Sequence, residues 1–151
     1  MSEPLFVKNE ISISAPAAKV WDALVNPELT KQYMFGCETV SDWKIGSSLE
    51  WKGLYEGADM VFVKGEILEI QPEKFLAYTT IDPNSGIDDT SENYLRVTYA
   101  LSAIGNDTLL EVTQGDYATV AEGDRRYQEA WNNGEGWNPI LTEIKKLVEQ
   151  N

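Results

Sequence analysis

The chain has 151 residues, a length typical of one domain, and its 12 Lys and Arg residues against 25 Asp and Glu residues give a net charge of −13. This charge disfavours nucleic acids and anionic membrane surfaces as partners, because phosphate binding requires clustered cations. The sequence contains no histidine, which excludes Ser/His and Cys/His catalytic pairs, and its one cysteine cannot form an internal disulfide.

The first part of the chain predicts one strand followed by two short helices. Apolar and polar residues alternate over residues 5–14, as in a strand with one buried face. Ala15-Pro16 ends this strand, and apolar residues then recur at helical spacing over residues 17–24. Asn26-Pro27 ends that helix and begins a second one, which extends to about Met34.

The middle of the chain predicts strands of an antiparallel sheet. Alternating apolar and polar residues occupy segments that are separated by turn residues, at 44–47, 57–59, 71–74, 82–89 and 105–107. Such alternation is typical of strands with one face in the core. Within residues 60–70 the apolar positions change parity around Lys64-Gly65, which predicts a β-bulge that bends a long strand.

The last third of the chain predicts an amphipathic helical segment, because its apolar residues recur at steps of three and four. Gly134, Gly136 and Pro139 are unusual there, since glycine and proline destabilise a helix interior. Two interpretations remain open. The segment is either broken into two helices, over 124–133 and 138–149, or it is one long helix whose small residues leave free volume against the sheet.

Distinctive motifs occur along nearly the whole chain. They are the strand with Ala-Pro and Val-Trp in residues 11–24, the sequence Trp43-Lys-Ile-Gly46, residues 65–72, the strands around Val97 and Val112, and Gly136-Trp137 followed by Leu141 and Ile144. Together these motifs resemble the SRPBCC superfamily, which has the START or birch-pollen-allergen fold. Within it they resemble the branch homologous to the C-terminal domain of the activator of heat-shock-protein ATPase. Gly46-Ser47 departs from the double glycine that is common in this family.

The resemblance implies an α+β helix-grip fold. It consists of a curved antiparallel sheet of about six or seven strands, two short N-terminal helices and a long C-terminal helix over the concave face, with an apolar cavity between sheet and helix. The cavity candidates are aromatic residues on the inward faces and one glycine of the last helix: Trp51, Tyr55, Tyr78, Tyr99, Trp131, Gly134 and Trp137, with Tyr33 and Phe35 near the entrance. Their hydroxyl and indole N–H groups would orient an apolar or aromatic ligand. A row of aromatic residues facing a helix is, however, usually part of an ordinary core.

Sequence motifs for metals and cofactors do not fit this chain. Residues 82–93 begin like a calcium-binding loop, but Ile87 occupies the glycine position and Asn93 the glutamate position. The sequence has neither a phosphate-binding loop nor a dinucleotide fingerprint. We therefore expect no cofactor and no metal ion.

Further expectations concern the cysteine, the location and the assembly of the protein. Cys37 lies among apolar neighbours and is expected to be a buried residue rather than a nucleophile. The first residues, Met-Ser-Glu-Pro, have neither the basic nor the apolar region of a signal peptide. We expect one domain over residues 1–151, in the cytoplasm and without membrane insertion. An edge strand or the exposed flank of the last helix could form a homodimer.

Three functions are compatible with these features. The leading hypothesis is non-enzymatic binding of a small apolar or aromatic ligand in the cavity. The alternative is a co-chaperone-like interaction with a heat-shock ATPase, which the resemblance and the acidic surface favour. A minor alternative is a cyclase-type enzyme, with Asp42, Glu66 and Glu69 as the carboxylates near apolar residues. The balance favours no catalysis, because strand alternation puts Glu66 and Glu69 on opposite faces.

Overall fold

The structure is a computed structural model that describes residues 3–34 and 36–150, apart from the side chain of Asn133. Phe35, one of the cavity candidates, lies outside the described residues. The elements in chain order are β1 (Val7–Ile13), α1 (Ala17–Val25), α2 (Pro27–Tyr33), β2 (Glu38–Ser41), β3 (Ser48–Tyr55), β4 (Ala58–Gln71), β5 (Phe75–Thr80), β6 (Leu95–Ile104), β7 (Asp107–Gly115), α3 (Gly123–Trp131) and α4 (Asn138–Glu149). Short 3₁₀ turns occupy Ser91–Asn93, Tyr117–Thr119 and Asn132–Gly134.

The strands form one antiparallel sheet in the order β1-β7-β6-β5-β4-β3-β2. Strands β2 to β7 follow one another as neighbours, whereas β1 pairs with β7 at the opposite edge from β2. Helices α1 and α2 connect these two edges in the chain. This is the α+β helix-grip fold that the sequence predicts, with two short N-terminal helices and with helical structure at the C-terminal end.

The pairing of strand β4 is irregular at two places, and these lie on either side of the predicted position. The pairing with β3 skips Phe62, and the pairing with β5 skips Leu68. Gly65 lies between the two irregularities, where the backbones of β4 and β5 approach closely. A Cβ atom at Gly65 would lie 1.7 Å from the carbonyl oxygen of Thr79, so this position requires glycine.

The main core lies between the concave face of the sheet and helices α1 and α4. Its members include Ile13, Val20 and Leu110, each with none of its surface exposed, and α4 contributes Leu141 and Ile144. This burial is the principal source of the favourable free energy of folding. Helix α4 is therefore the element that covers this part of the sheet.

A smaller cluster of buried residues consists of Val7, Leu95 and Tyr117, against which Tyr127 and Ala130 of α3 pack. Trp137, between the two C-terminal helices, packs against both the small cluster and the main core. The C-terminal helices therefore cover different parts of the molecule.

The C-terminal segment is two helices, which confirms the interpretation as a break and excludes one long helix. Pro139 lies in the first turn of α4, where a missing N–H group costs nothing. Gly136 has a φ of +49°, and a Cβ atom there would lie 2.4 Å from Oδ1 of Asn9. The backbone N–H of Trp137 donates to that same oxygen at 2.9 Å. Strand β1 thus holds the break through Asn9.

Candidate functional site

A cavity of about 410 Å³ lies between the concave face of the sheet and the residues that join α3 to α4. The sheet contributes mostly apolar side chains: Trp51, Phe62, Val63, Tyr78, Thr80, Val97 and Gln114. The helical side contributes Glu129, Ala130, Asn132, Gly136, Trp137 and Ile140, and the remaining lining residues are Met34 and Cys37. The cavity therefore lies between the main core and the small cluster.

Two buried tyrosines form a hydrogen-bonded pair at the wall of the cavity. The hydroxyl oxygens of Tyr78 and Tyr99 are 2.7 Å apart, and the two rings meet edge to face with centroids 5.6 Å apart. Burial raises the pKa of both hydroxyl groups far above the usual tyrosine value, so both stay protonated at neutral pH. Tyr78 lines the cavity, whereas Tyr99 lies behind it against Trp137, at a centroid distance of 6.1 Å.

Trp137 forms one side of the cavity and is fixed by two hydrogen bonds. Its backbone N–H donates to Asn9, and its indole Nε1 donates to Oε1 of Gln114 at 3.0 Å. Because strand β7 carries Gln114, these contacts tie the break between α3 and α4 to both β1 and β7. The indole ring is consequently held in one orientation at the cavity wall.

Tyr33 is buried but does not line the cavity. Its hydroxyl group donates to the carbonyl oxygen of Ala23 at 2.8 Å. This carbonyl lies in the last turn of α1, where the residue four positions later is Pro27, which has no N–H group to donate. Tyr33 thus satisfies a helix-terminal carbonyl, and burial raises the pKa of its hydroxyl group.

Three other candidates lie away from the cavity wall. Tyr55 and its neighbour Leu54 are 56% and 71% exposed, which shows that both faces of the β3–β4 hairpin end are uncovered. Trp131 is 43% exposed and stacks on Tyr127 outside the cavity. Gly134 has a φ of +92°, and the nearest atom to an added Cβ would be in Trp131, at 3.8 Å.

Several lining residues escaped the sequence reasoning. Gln114 continues the inward-facing alternation of Leu110 and Val112 along β7, so its position was accessible from the sequence pattern. The inward position of Phe62 could not be predicted in this way, because Phe62 lies at the irregularity between β3 and β4, where the alternation breaks. Cys37 is buried as predicted, and burial raises the pKa of its thiol.

Few charges line the cavity. Glu129 is the one charged residue among the described lining residues, and it pairs with Arg125 on the same helix at 3.4 Å. The carboxylates considered for catalysis, Asp42, Glu66 and Glu69, are all exposed and do not line the cavity. Within residues 3–34 and 36–150, no three His, Cys, Asp or Glu side chains are placed to bind one metal ion.

The seven-stranded sheet, the helices packed on one of its faces and the cavity between them define a helix-grip protein of the SRPBCC type. The chain belongs to the family described as Activator of Hsp90 ATPase homolog 1-like protein, whose family model matches residues 14–149. The resemblance identified from the sequence motifs is therefore confirmed. In the part of the chain that the structure describes, no helix is both long enough and apolar enough to cross a membrane.

Solved structures show the same fold. A Cytophaga hutchinsonii protein is 38% identical over 99% of this chain and 97% of that chain, with a TM-score of 0.75. DynU16, from the dynemicin biosynthetic locus, is 17% identical over 97% of this chain and 48% of its own, with a TM-score of 0.71. The Aha1 dimer from Colwellia psychrerythraea is 15% identical over 96% of both chains, with a TM-score of 0.66. No matching protein was found among curated proteins.

Proposed function

We propose that this protein binds a small apolar or aromatic molecule in the cavity without transforming it chemically. The observation that supports this proposal is the apolar lining of the cavity, in which Phe62, Val63 and Ile140 are only partly buried. A ligand in contact with these side chains would remove apolar surface from water, which is the main source of affinity in such sites. In this proposal Trp51, Tyr78 and Trp137 contact the ligand directly, and Tyr99 supports Tyr78.

The test is a fluorescence titration with N-phenyl-1-naphthylamine, an uncharged probe that brightens in apolar surroundings. We expect saturable binding by the wild-type protein. Ala130→Trp should weaken this binding at least tenfold, because Ala130 lines the cavity on α3 and the indole would occupy the space. Gln128→Trp is the matched control, since it adds the same side chain at an exposed position of the same helix outside the lining.

Two results would contradict the proposal. One is the absence of saturable binding by wild-type protein that gives a dispersed NMR spectrum. The other is an equal loss of affinity in Ala130→Trp and Gln128→Trp. In either case the apolar residues around the cavity would serve only the core. Urea unfolding of both variants separates a loss of binding from a loss of folding.

A second candidate function is a co-chaperone-like interaction with a heat-shock ATPase. It is supported by the family, whose description refers to an activator of Hsp90 ATPase, and by the net charge of −13, which suits a basic partner surface. We expect the protein to change the ATP turnover of an Hsp90-type chaperone, and expect added salt to reduce the effect. Unchanged turnover at low salt would argue against this candidate.

The proposed function includes a location and an assembly state. We place the protein in the cytoplasm, where the buried, unpaired thiol of Cys37 would stay reduced. The Colwellia relative was solved as a dimer, and we propose that this chain also forms homodimers. Native mass spectrometry of gently purified protein tests the assembly state, because it reports the number of subunits. The same spectrum gives the mass of any retained small molecule. A monomer at micromolar concentration would contradict the dimer.

A further inference from the structure

The side-chain amide of Gln114 presents donor groups at the cavity. An indole N–H can only donate, so the short contact with Trp137 requires the amide oxygen of Gln114 to face the indole. The Nε2 group of Gln114 must then point the other way. Among the described residues it has no hydrogen-bond partner, and Gln114 lines the cavity. The hydrogen bond with Trp137 therefore leaves the Nε2 end of the amide, rather than the oxygen end, free to donate to a ligand.

The tyrosine pair has a second unused donor. Tyr78 and Tyr99 share one hydroxyl–hydroxyl contact, in which one hydrogen is donated and the other hydroxyl accepts it. Two protonated hydroxyl groups have two hydrogens. The second hydrogen has no acceptor among the described residues, and when Tyr99 donates to Tyr78 it is the hydrogen of Tyr78, which lines the cavity. An unsatisfied donor of this kind costs free energy unless water or a ligand accepts from it.

The charges around the cavity argue against an anionic ligand. Glu129, with its negative charge, lines the cavity. Arg125 and Arg126 do not line it; they line an adjoining cavity, which Gln114 and Glu129 also line. Arg125 pairs with Glu122 and Glu129, and Arg126 donates to the backbone carbonyls of Asn93 and Ala121.

We propose that the ligand is an uncharged aromatic molecule with a carbonyl group, whose oxygen accepts hydrogen bonds from Nε2 of Gln114 and from the Tyr78–Tyr99 hydroxyl pair. This inference rests on the proposed ligand-binding function and names the chemical class of its ligand. A carbonyl oxygen has two lone pairs, so it can accept from both donors. Gln114 and Tyr78 are then the residues that determine specificity.

The experiment compares two probes of the same shape, 2-acetylnaphthalene and 2-ethylnaphthalene, which differ in one carbonyl group. Each is measured by displacement of N-phenyl-1-naphthylamine, and the ratio of the two dissociation constants is compared between proteins. Gln114→Glu keeps an acceptor for the indole of Trp137 but removes the donor. We expect this variant to reduce the preference for 2-acetylnaphthalene over 2-ethylnaphthalene roughly fivefold. This factor corresponds to the loss of one neutral hydrogen bond.

Two further variants complete the test. Tyr78→Phe should also reduce the preference for the ketone about threefold, and it decides the question if Gln114→Glu fails to fold. Gln128→Glu adds the same charge on the exposed face of α3 and should leave the ratio unchanged.

The outcomes distinguish this inference from the proposed function. If neither naphthalene displaces the probe from wild-type protein, the ligand-binding function itself is wrong. If both bind and the ratio is the same in wild type, Gln114→Glu and Tyr78→Phe, the cavity binds apolar molecules without recognising a carbonyl group. Preferential binding of the anionic analogue 2-naphthoate over 2-acetylnaphthalene would overturn the assignment of an uncharged ligand.

Discussion

The two C-terminal helices cover the concave face of the sheet in different ways. Helix α4 inserts Leu141, Ile144 and Val148 into the main core, and each of these residues is at most 5% exposed. Helix α3 has no fully buried residue, and the cavity lies beside it. The same sheet face is therefore packed at one end and open at the other.

This difference shows how a small protein keeps free volume next to its core. Helix α4 is held by buried side chains, so the apolar surface beneath it is covered. Helix α3 packs on the small cluster through Tyr127 and Ala130, both only partly buried. Its C-terminal end is held by the break at Gly136 and by the hydrogen bonds of Trp137. These contacts hold the helix beside the sheet without filling the cavity between them.

The largest expected effect tests the packed end. Leu141→Ala should lower the free energy of unfolding by about 3 kcal/mol, because Leu141 is fully buried and its truncation leaves an empty cavity. Ile140→Ala, one residue earlier but lining the cavity, should cost only about 1 kcal/mol. Urea unfolding measures both values, and similar losses in the two variants would contradict the distinction between the packed and open ends.

The next effect tests the break between the helices. Gly136→Ala should destabilise the protein by about 2 kcal/mol, since alanine disfavours a φ of +49° and its Cβ would displace Asn9. Gly134→Ala provides the matched comparison. It has a positive φ, but an added Cβ would meet only Trp131, at an ordinary contact distance of 3.8 Å, so we expect about 1 kcal/mol. Thermal unfolding compares the two, and equal losses would show that contact with Asn9 is unimportant.

A smaller effect separates a structural tyrosine from a cavity tyrosine. Tyr33→Phe should cost about 1.5 kcal/mol, because it leaves the buried carbonyl of Ala23 without its donor. Tyr78→Phe should cost about 0.5 kcal/mol, because water in the cavity can replace the lost contact of Tyr99. A greater loss of unfolding free energy in Tyr78→Phe than in Tyr33→Phe would indicate that water does not reach the tyrosine pair.

The smallest effect concerns pH and the end of α4. The Glu149 carboxylate accepts hydrogen bonds from Nζ of Lys145 and from the backbone N–H of Ser14. These contacts lower the pKa of the carboxylate from its ordinary value near 4.5. A lowered pKa in the folded state means that the stabilisation is present above pH 4.5 and is lost as the pH falls through the folded-state pKa. The stability difference between wild type and Glu149→Gln should therefore shrink as the pH falls below 4.5.

Glu129→Gln on helix α3 is the matched comparison for Glu149→Gln on helix α4. Glu129→Gln removes a carboxylate whose partner, Arg125, lies on the same helix α3. It should have less influence on stability than Glu149→Gln at neutral pH, because Glu149 connects α4 to Ser14 near β1. Urea midpoints from pH 3 to pH 7 provide the comparison. A pH-independent difference for Glu149→Gln would contradict the assigned role of this carboxylate.

Much of the fold was predictable because alternation and helical periodicity depend on local geometry. The strand at 5–14, the two short helices that follow it and the later strands all appear near their predicted positions. The motifs from residues 11–24 to Gly136-Trp137 also identified the superfamily, which the family match confirms. The alternation along β7 even indicated the inward direction of Gln114.

The candidate site was less predictable, because side-chain placement there depends on contacts between distant segments. Trp51, Tyr78 and Trp137 line the cavity, whereas Tyr55 shares a predicted face with Trp51 but extends beyond the covered part of the sheet. Residue type and parity cannot show where a covering helix ends.

The sequence by itself determined the order of elements, the α+β class and the inward faces of the strands, since these follow from local periodicity and from the need to bury apolar surface. Tertiary structure decided where the apolar side chains leave space. The choice between one helix and two was settled by the contact of Asn9 with Trp137, across 128 residues of chain. The orientation of the Gln114 amide was settled by an indole from another element. Such contacts form between residues that are far apart in the chain and close only in the folded protein, so neither the spacing of residues within one segment nor its composition predicts them.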